Sequence, residues 1–220
     1  MDAEKQHSKL EEIRQQNLTQ VDAQRSSILD AAEKLFVEKG LENTKMTDIA
    51  AQAGITRMSL YRYFPDRHPI AFEIAIRMLK KIIDTSGFDE QAVSMDVIQF
   101  VVLRMIDRFS EMRDAYRYLG MFDNLYGDRY PSEDLALWYK RQMFSLGFEN
   151  VVDLDSKFGD HRNHYFMLVN STMSFLQKLA TRGEIMSDEQ GISLDEQLAL
   201  YKKMINLFVA DFKNEIQTKS

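Results

Sequence analysis

The sequence predicts an all-α fold of about nine helices. Apolar residues recur at every third or fourth position through most of the chain, and no apolar–polar alternation lasts long enough for a strand. The chain has only 3 prolines and 9 glycines in 220 residues, so points at which a helix must stop are few. Hydrophobic residues make up 45% of the chain, which is enough to form a full core.

The first 21 residues are predicted to be a polar extension of this fold. Residues 1–20 are rich in charge and glutamine and lack the apolar centre of a signal peptide. We expect them either to fray or to continue the first helix. No stretch approaches the run of about 20 apolar residues that spans a bilayer, so we expect a cytoplasmic protein with no membrane partner.

The first two predicted helices are separated by glycine. The first covers residues 22–39, and Gly40 follows at the place where a left-handed residue commonly ends a helix. Thr44 is the predicted N-cap of the short second helix, which Gly54 ends. The side chains of these helices that are predicted to face the core are Ile28, Ala31, Ala32, Leu35, Phe36, Ile49, Ala50 and Ala53.

The third predicted helix, residues 57–64, is short and well delimited. Thr56 is its predicted N-cap. Pro65 cannot continue it comfortably, because proline lacks an amide hydrogen and clashes with the preceding turn. A fourth helix is predicted to start near Arg67, with Pro69 in its first turn, where the missing amide hydrogen costs little.

These helices have the pattern of a helix-turn-helix. A short helix, a glycine turn and a second short helix make that motif, and Gly54 allows the positive φ that a tight turn needs. The net charge of −6 argues against a protein that coats nucleic acid over its whole surface. Residues 54–68, however, hold three arginines against one aspartate. A small basic element on an acidic protein is typical of a DNA-reading module.

Residues 25–70 resemble the DNA-binding region of the TetR family of bacterial transcription regulators. The matching stretches read RSSILDAAEKLFVEKG, TKMTDIAAQAGITRMSLYRYF and PDRHPI, with the family's positions in order and correctly spaced. The resemblance implies a repressor with a DNA-binding domain over residues 22–68 and a helical ligand-binding and dimerisation domain over residues 69–220. The third helix would enter the major groove of double-stranded operator DNA.

The same resemblance implies a role in DNA binding for nine residues. Thr56 would cap the third helix and touch a phosphate, and Arg57, Met58 and Ser59 would face base edges. An arginine can read guanine with two hydrogen bonds, and a methionine can contact the thymine methyl group. Met58 stands where the family usually has a small residue, so we expect a change in which DNA is read. The other predicted contacts with the DNA backbone are Arg25, Thr47, Tyr61, Tyr63 and Arg67.

The last two long helices, residues 160–181 and 194–213, are predicted to form a homodimer interface. Their apolar faces are too wide for one neighbouring helix, so a second neighbour is needed. The resemblance implies a four-helix interface between two copies. A two-fold dimer places its recognition helices about one DNA turn apart, or a multiple of it, so the operator is expected to be palindromic.

A pocket for a small apolar or amphipathic ligand is predicted among the middle helices, because methionines and aromatic residues suit adaptable apolar cavities. The identity of this effector does not follow from the sequence. The same residues could instead be ordinary core, and Arg104 could either anchor an anionic ligand or face solvent. The candidate lining residues are Phe100, Arg104, Met105, Phe109, Tyr116, Tyr118, Met121, Phe122, Tyr126, Trp138, Met143 and Phe144.

Neither an enzyme, a metal site nor a cofactor is predicted. The sequence has no phosphate-binding glycine loop, no nucleophile motif and no cysteine. His161 and His164 are three apart but lack a clear third ligand. The alternative function is that of a TetR-like scaffold that stays on DNA and recruits a protein partner without sensing a metabolite. Activation in place of repression also stays open.

Overall fold

The computed structural model describes residues 2–86, 95–127, 129–143 and 162–219. Within those ranges the chain forms nine helices and no strand, which confirms the predicted all-α class. No helix in this part of the chain is long and apolar enough to cross a membrane. The helices are α1 (Asp2–Lys39), α2 (Met46–Gln52), α3 (Arg57–Tyr63), α4 (Arg67–Ser86), α5 (Met95–Asp107), α6 (Phe109–Tyr126), α7 (Glu133–Met143), α8 (Arg162–Gln190) and α9 (Leu194–Lys219).

The chain divides into two compact units, residues 1–74 and 75–220, and the division falls inside α4. The first unit holds α1–α3 and the start of α4. Helix α1 is continuous from Asp2, so the polar N-terminal segment continues the first helix. The apolar faces predicted for α1 and α2 are buried, apart from the half-buried Ala53. The fully or almost fully buried side chains of this unit include Ile28, Ala32, Phe36, Ile49, Leu60, Phe64, Ile70, Phe72 and Ile74.

Glycines end helices in the first unit as expected. Gly40 has φ +85°, and its amide donates to the Phe36 carbonyl at 2.9 Å. Gly54 has φ +67° in the turn between α2 and α3. Both angles lie in the left-handed region, which a residue with a Cβ atom rarely adopts.

The predicted N-cap of α2 is wrong. Thr44 is fully buried, and its hydroxyl donates to the Gly40 carbonyl at 2.9 Å, so it satisfies the end of α1 instead. Lys45 is the N-cap of α2, and its amide donates to the Asp48 carboxylate at 3.3 Å. A cap predicted from residue type alone misses this competition, because the end of α1 also has carbonyls that need donors.

In the second unit α8 contacts α5, α6 and α9. Helix α6 approaches α8 closely at Gly120, where a Cβ atom would lie 3.4 Å from the side chains of Gln177 and Thr181. Helix α9 is joined to α5 by ion pairs from Lys202 to Asp107 and from Lys213 to Asp96. The core of this unit includes Val102, Ile106, Phe109, Tyr116, Tyr118, Leu119, Leu176, Leu179 and Ile205.

The two last helices are longer than the predicted 160–181 and 194–213, and residues 160 and 161 lie outside the described ranges. Glycine is the residue type of loops and turns, but Gly183 lies inside α8. It is buried there, and a Cβ atom would approach Leu194 to 3.3 Å, so glycine lets the start of α9 come close. Gly191, with φ +66°, ends α8 instead.

Candidate nucleic-acid interface

The first turn of α3 is held by a side-chain cap. Thr56 has extended backbone angles (φ −71°, ψ 153°), and its hydroxyl oxygen accepts from the Ser59 amide at 3.1 Å. The hydroxyls of Thr56 and Ser59 are also within hydrogen-bond distance, at 2.9 Å. The predicted N-cap is therefore confirmed. The cap orders the end of α3 that the helix-turn-helix pattern would present to base edges.

Helix α3 has one buried side and one open side. Leu60 is fully buried, whereas Met58 is 80% exposed and Tyr61 is 41% exposed. On the open side, Arg57 Nη2 donates to Tyr61 Oη at 3.2 Å, and the guanidinium lies 5.3 Å from the centre of the Tyr61 ring. The structure thus groups a cation, an apolar side chain and a phenol on one exposed face.

Three more of the residues predicted to meet the DNA backbone belong to α2, α3 and α4. Thr47 is exposed in the first turn of α2, and Tyr63 is half-buried at the end of α3. Arg67 Nη1 donates to the Glu42 carbonyl at 2.9 Å, which joins the start of α4 to the loop before α2. A carbonyl has no net charge, so this bond does not balance the positive charge of Arg67.

Arg25, also predicted to meet the backbone, has partners inside the first unit. Its guanidinium forms an ion pair with Glu73 and lies 4.3 Å from the centre of the Phe64 ring. Its Nη1 also donates to the Tyr63 carbonyl at 3.4 Å. Sequence reasoning missed Glu73, and no local pattern could have shown it, because the two residues are 48 positions apart.

Two carboxylates near α3 accept hydrogen bonds at the starts of helices. The Asp66 carboxylate accepts from the His68 amide at 2.8 Å at the start of α4, and Asp48 accepts from the Lys45 amide at the start of α2. Carboxylates bound in this way stabilise helix N-termini. Arg57 and Arg62 meanwhile lie exposed on α3, so its open face is positive.

The predicted pocket residues of the second unit occupy different environments. Met105, Phe109, Tyr118, Phe122 and Tyr126 are buried, while Met121, Trp138 and Met143 are half-buried. The rings of α6 and α7 meet, with Phe122 centred 4.9 Å from Tyr126 and 5.5 Å from Tyr139. Burial raises the pKa of Tyr139 well above its ordinary value, so its hydroxyl stays protonated.

Two pocket candidates, Phe100 and Arg104, lie on α5, and a third falls outside the described residues. Phe100 is 52% exposed. Arg104 is half-buried, and its Nε and Nη2 both lie 3.4 Å from the Thr85 carbonyl. Phe144 belongs to the part of the chain that is not described. A ligand site at these residues therefore stays a prediction.

Tyr116 stands out within the second unit. It is fully buried, its ring lies 5.9 Å from Phe109, and its hydroxyl has no hydrogen-bond partner among the described residues. Burial raises the pKa of its phenol well above the ordinary value of 10.0. A buried hydroxyl without a partner lowers the stability of a fold, because its hydrogen bonds to water are lost without replacement.

An exposed apolar surface runs along α8 and α9. An open groove of about 560 Å³ lies on α9. Its lining consists of four apolar side chains, Met204, Leu207, Phe208 and Ala210, and two polar ones, Asp211 and Asn214. His164 on α8 lies beside it, with its ring centred 4.9 Å from Phe212, while its predicted neighbour His161 is outside the described residues. The large apolar side chains exposed on the two helices are Phe166, Met167, Ile185, Leu200, Met204, Leu207 and Phe208.

The chain is similar in sequence to known bacterial regulators. Residues 28–74 match the family described as "Bacterial regulatory proteins, tetR family". An HTH-type transcriptional regulator of Staphylococcus aureus strain USA300 is 32% identical over 128 residues, which cover 50% of this chain and 69% of that protein. The corresponding regulator of the bovine strain RF122 is 33% identical over the same length.

Comparisons with solved structures show the same fold. A TetR-family regulator from Syntrophomonas wolfei is 16% identical, with a TM-score of 0.58, over 86% of this chain and 96% of that one. FadR from Bacillus subtilis, solved in complex with stearoyl-CoA, is 17% identical with a TM-score of 0.54, over 84% of this chain and 97% of that one. At this identity the likeness extends to the fold alone.

Proposed function

This chain belongs to the TetR family and is a DNA-binding transcriptional regulator, and we propose that it is a homodimeric repressor released from its operator by a small molecule. The observation that carries the DNA-binding part is the capped helix α3. Its first turn is fixed by Thr56, and its open face presents Arg57 and Met58. A helix held at its N-terminus and open on one side can enter a major groove.

Sequence choice is assigned to Arg57, Met58 and Ser59. An arginine donates two hydrogen bonds to the edge of a guanine, and a methionine offers an apolar surface to a thymine methyl group. With Met58 80% exposed, that apolar contact loses water from a large surface when DNA binds. The side chains proposed to hold the DNA backbone are Thr47, Thr56, Tyr61, Tyr63 and Arg67.

A second copy of the chain is the proposed cover for the apolar surface of α8 and α9. Leu207 is 62% exposed and Met204 is 53% exposed, and both line the groove on α9. Contiguous apolar exposure of this kind marks protein interaction sites. Two copies related by a two-fold axis would present two α3 helices, so the operator would be a palindrome.

The proposed effector is a small apolar or amphipathic molecule that binds within the second unit. Support comes from the methionine and aromatic cluster of α5–α7, and from the shared fold with a regulator solved with stearoyl-CoA. Such a molecule lowers operator affinity only if it binds the DNA-free conformation more tightly than the DNA-bound one.

Selection of bound duplexes from a random DNA pool tests the DNA-binding part. The wild type should enrich a palindromic consensus, and an Arg57→Ala, Tyr61→Ala double variant should lose it. The enriched duplex then serves in a screen for molecules that lower its affinity for the protein. Absence of enrichment at physiological salt would contradict autonomous operator binding and would favour a scaffold that needs a protein partner.

A further inference from the structure

Arg25 connects three helices of the first unit. It projects from α1, pairs with Glu73 on α4, and donates to the carbonyl of Tyr63, the last residue of α3. Its guanidinium also lies over the ring of Phe64, the C-cap of α3, at 4.3 Å. The contacts of one side chain therefore hold the C-terminal end of α3 against α1 and α4.

The pairing changes what Arg25 can offer to DNA. A basic side chain strengthens DNA binding chiefly by releasing the cations that surround a phosphate, and this effect needs an unbalanced positive charge. The Arg25 charge is balanced by Glu73, whose side chain is only 20% exposed. Arg67, by contrast, donates to a neutral carbonyl, which does not balance its charge.

The two ends of α3 are thus fixed by different means. Thr56 caps the first turn, whereas the last turn has Leu60 buried beneath it and Arg25 at its end. Helix α3 has only 7 residues, so its position depends on these end contacts. A shift of its axis would move Arg57 away from base edges but would leave looser phosphate contacts largely in place.

We propose that Arg25 is a positioning residue, which acts through its ion pair with Glu73 to set the orientation of α3 for sequence-specific binding. The family resemblance implies a different role for Arg25, a direct contact with a phosphate. The two roles predict opposite effects on DNA binding when the Glu73 charge is removed. If Arg25 bound phosphate, removal of the Glu73 charge would free the guanidinium and strengthen binding to any DNA. If Arg25 positions α3, the same change loosens α3 and weakens binding to the operator.

The test compares wild type with Glu73→Gln, Arg25→Ala and the double variant, each as the full-length chain. Binding is measured against the duplex enriched by selection and against a scrambled duplex of equal length, over a range of salt concentrations. We expect Glu73→Gln to weaken binding to the enriched duplex about tenfold, which is the size typical of coupled contacts, and to leave the scrambled duplex unchanged. The salt dependence should stay the same, and the double variant should bind no more weakly than Arg25→Ala.

The controls separate this proposal from unfolding and from failure of operator binding. Glu184→Gln breaks a matched ion pair with Arg113, 2.8 Å in length and located in the second unit, and should leave DNA affinity unchanged. Glu73→Gln is nearly isosteric, so it decides the question even if Arg25→Ala unfolds. The proposal is overturned if Glu73→Gln binds each duplex as tightly as the wild type does, or more tightly. It is also overturned if Arg25→Ala lowers the salt slope by about one, the loss expected for a phosphate contact.

Discussion

Arg57 and Tyr61 form a pair on the exposed face of α3, with Nη2 of Arg57 3.2 Å from the hydroxyl oxygen of Tyr61 and its guanidinium over the ring. The residues are one helical turn apart, which is the spacing at which side chains on a helix meet. The pair limits the orientations of a long, flexible arginine before DNA arrives. Less conformational entropy is then lost when Arg57 binds a base.

The Arg57 side chain is expected to determine one base of each operator half-site. Arg57→Ala should cost about 1–3 kcal/mol of operator affinity and relax the preference at one position, because two hydrogen bonds to that base are lost. Selection with the variant measures both effects. Arg62→Ala, which removes an equal charge from the same helix, is the matched control and should preserve the preference. An identical consensus for wild type and Arg57→Ala would contradict the assignment.

Arg67 is expected to act through charge alone. Arg67→Ala should weaken binding to enriched and scrambled duplexes alike and lower the salt slope by about one, because one phosphate is no longer neutralised. The measurement is affinity against salt concentration. A loss confined to the enriched duplex would instead point to the bond between Arg67 and the Glu42 carbonyl, and thus to a role in placing α4.

The cap at Thr56 is expected to stabilise the first unit. Thr56→Ala should lower the free energy of unfolding by about 1 kcal/mol, since the Ser59 amide loses its acceptor. Thr56→Ser keeps the hydroxyl and should be close to wild type. Urea unfolding of the three proteins gives the comparison, and equal stability of the alanine and serine variants would show that the hydrogen bond contributes nothing.

The buried hydroxyl of Tyr116 is expected to lower stability. Tyr116→Phe removes a polar group that lacks a partner among the described residues, and should raise the free energy of unfolding by about 1 kcal/mol. Tyr116→Ala is the control, and should lower it by about 3–5 kcal/mol because the ring leaves a cavity. A Phe variant less stable than wild type would indicate that the hydroxyl is satisfied by bound water.

The same residue gives a pH dependence with a definite sign. Burial raises the pKa of Tyr116 in the folded state above the ordinary 10.0, so only the unfolded chain releases this proton near pH 10. This proton therefore has no effect on the free energy of unfolding below pH 10. As the pH rises further, the free energy of unfolding falls, because releasing the proton favours the unfolded chain. Urea unfolding between pH 9 and pH 11, at pH values chosen about the ordinary pKa, should therefore show a smaller loss for Tyr116→Phe than for wild type.

The apolar surface of α9 is expected to hold two copies together. Leu207→Glu places a charge in the proposed interface and should turn a dimer into a monomer in sedimentation velocity, with loss of operator binding. Leu137→Glu is the matched control, because Leu137 is also a leucine and is 51% exposed, but lies on α7. A dimer that survives Leu207→Glu would place the interface elsewhere.

Features of the first unit that depend on neighbouring residues could be predicted from the sequence. Gly40, Gly54 and Thr56 act within a few positions along the chain, so the residue type and its place after or before an apolar run suffice. The apolar face of α1 follows the helical period for the same reason. The pattern indicates which side chains are inward without showing what they touch.

Features that depend on contacts between distant helices could not be predicted. Thr44 has the residue type of a cap, but the proximity of the end of α1 directs its hydroxyl there. Gly183 has the residue type of a loop, but close contact with Leu194 favours it inside α8. Arg25 and Glu73 are both of residue types that usually face solvent, and they lie on different helices, so the helical period of the sequence does not indicate their pairing.

Helix α1 is one continuous helix, but we expect its backbone hydrogen bonds to open more easily in some segments than in others. Its 38 residues span about 57 Å, yet Leu18 and Val21 are exposed and the first buried side chain that the structure describes on it is Ile28. A helical segment without tertiary contacts depends on its own weak propensity, whereas one with a buried face opens only with its domain. Backbone amides near Leu18 should therefore exchange with deuterium orders of magnitude faster than those beyond Ile28, and the position where protection begins would mark the N-terminal limit of the cooperative folding unit.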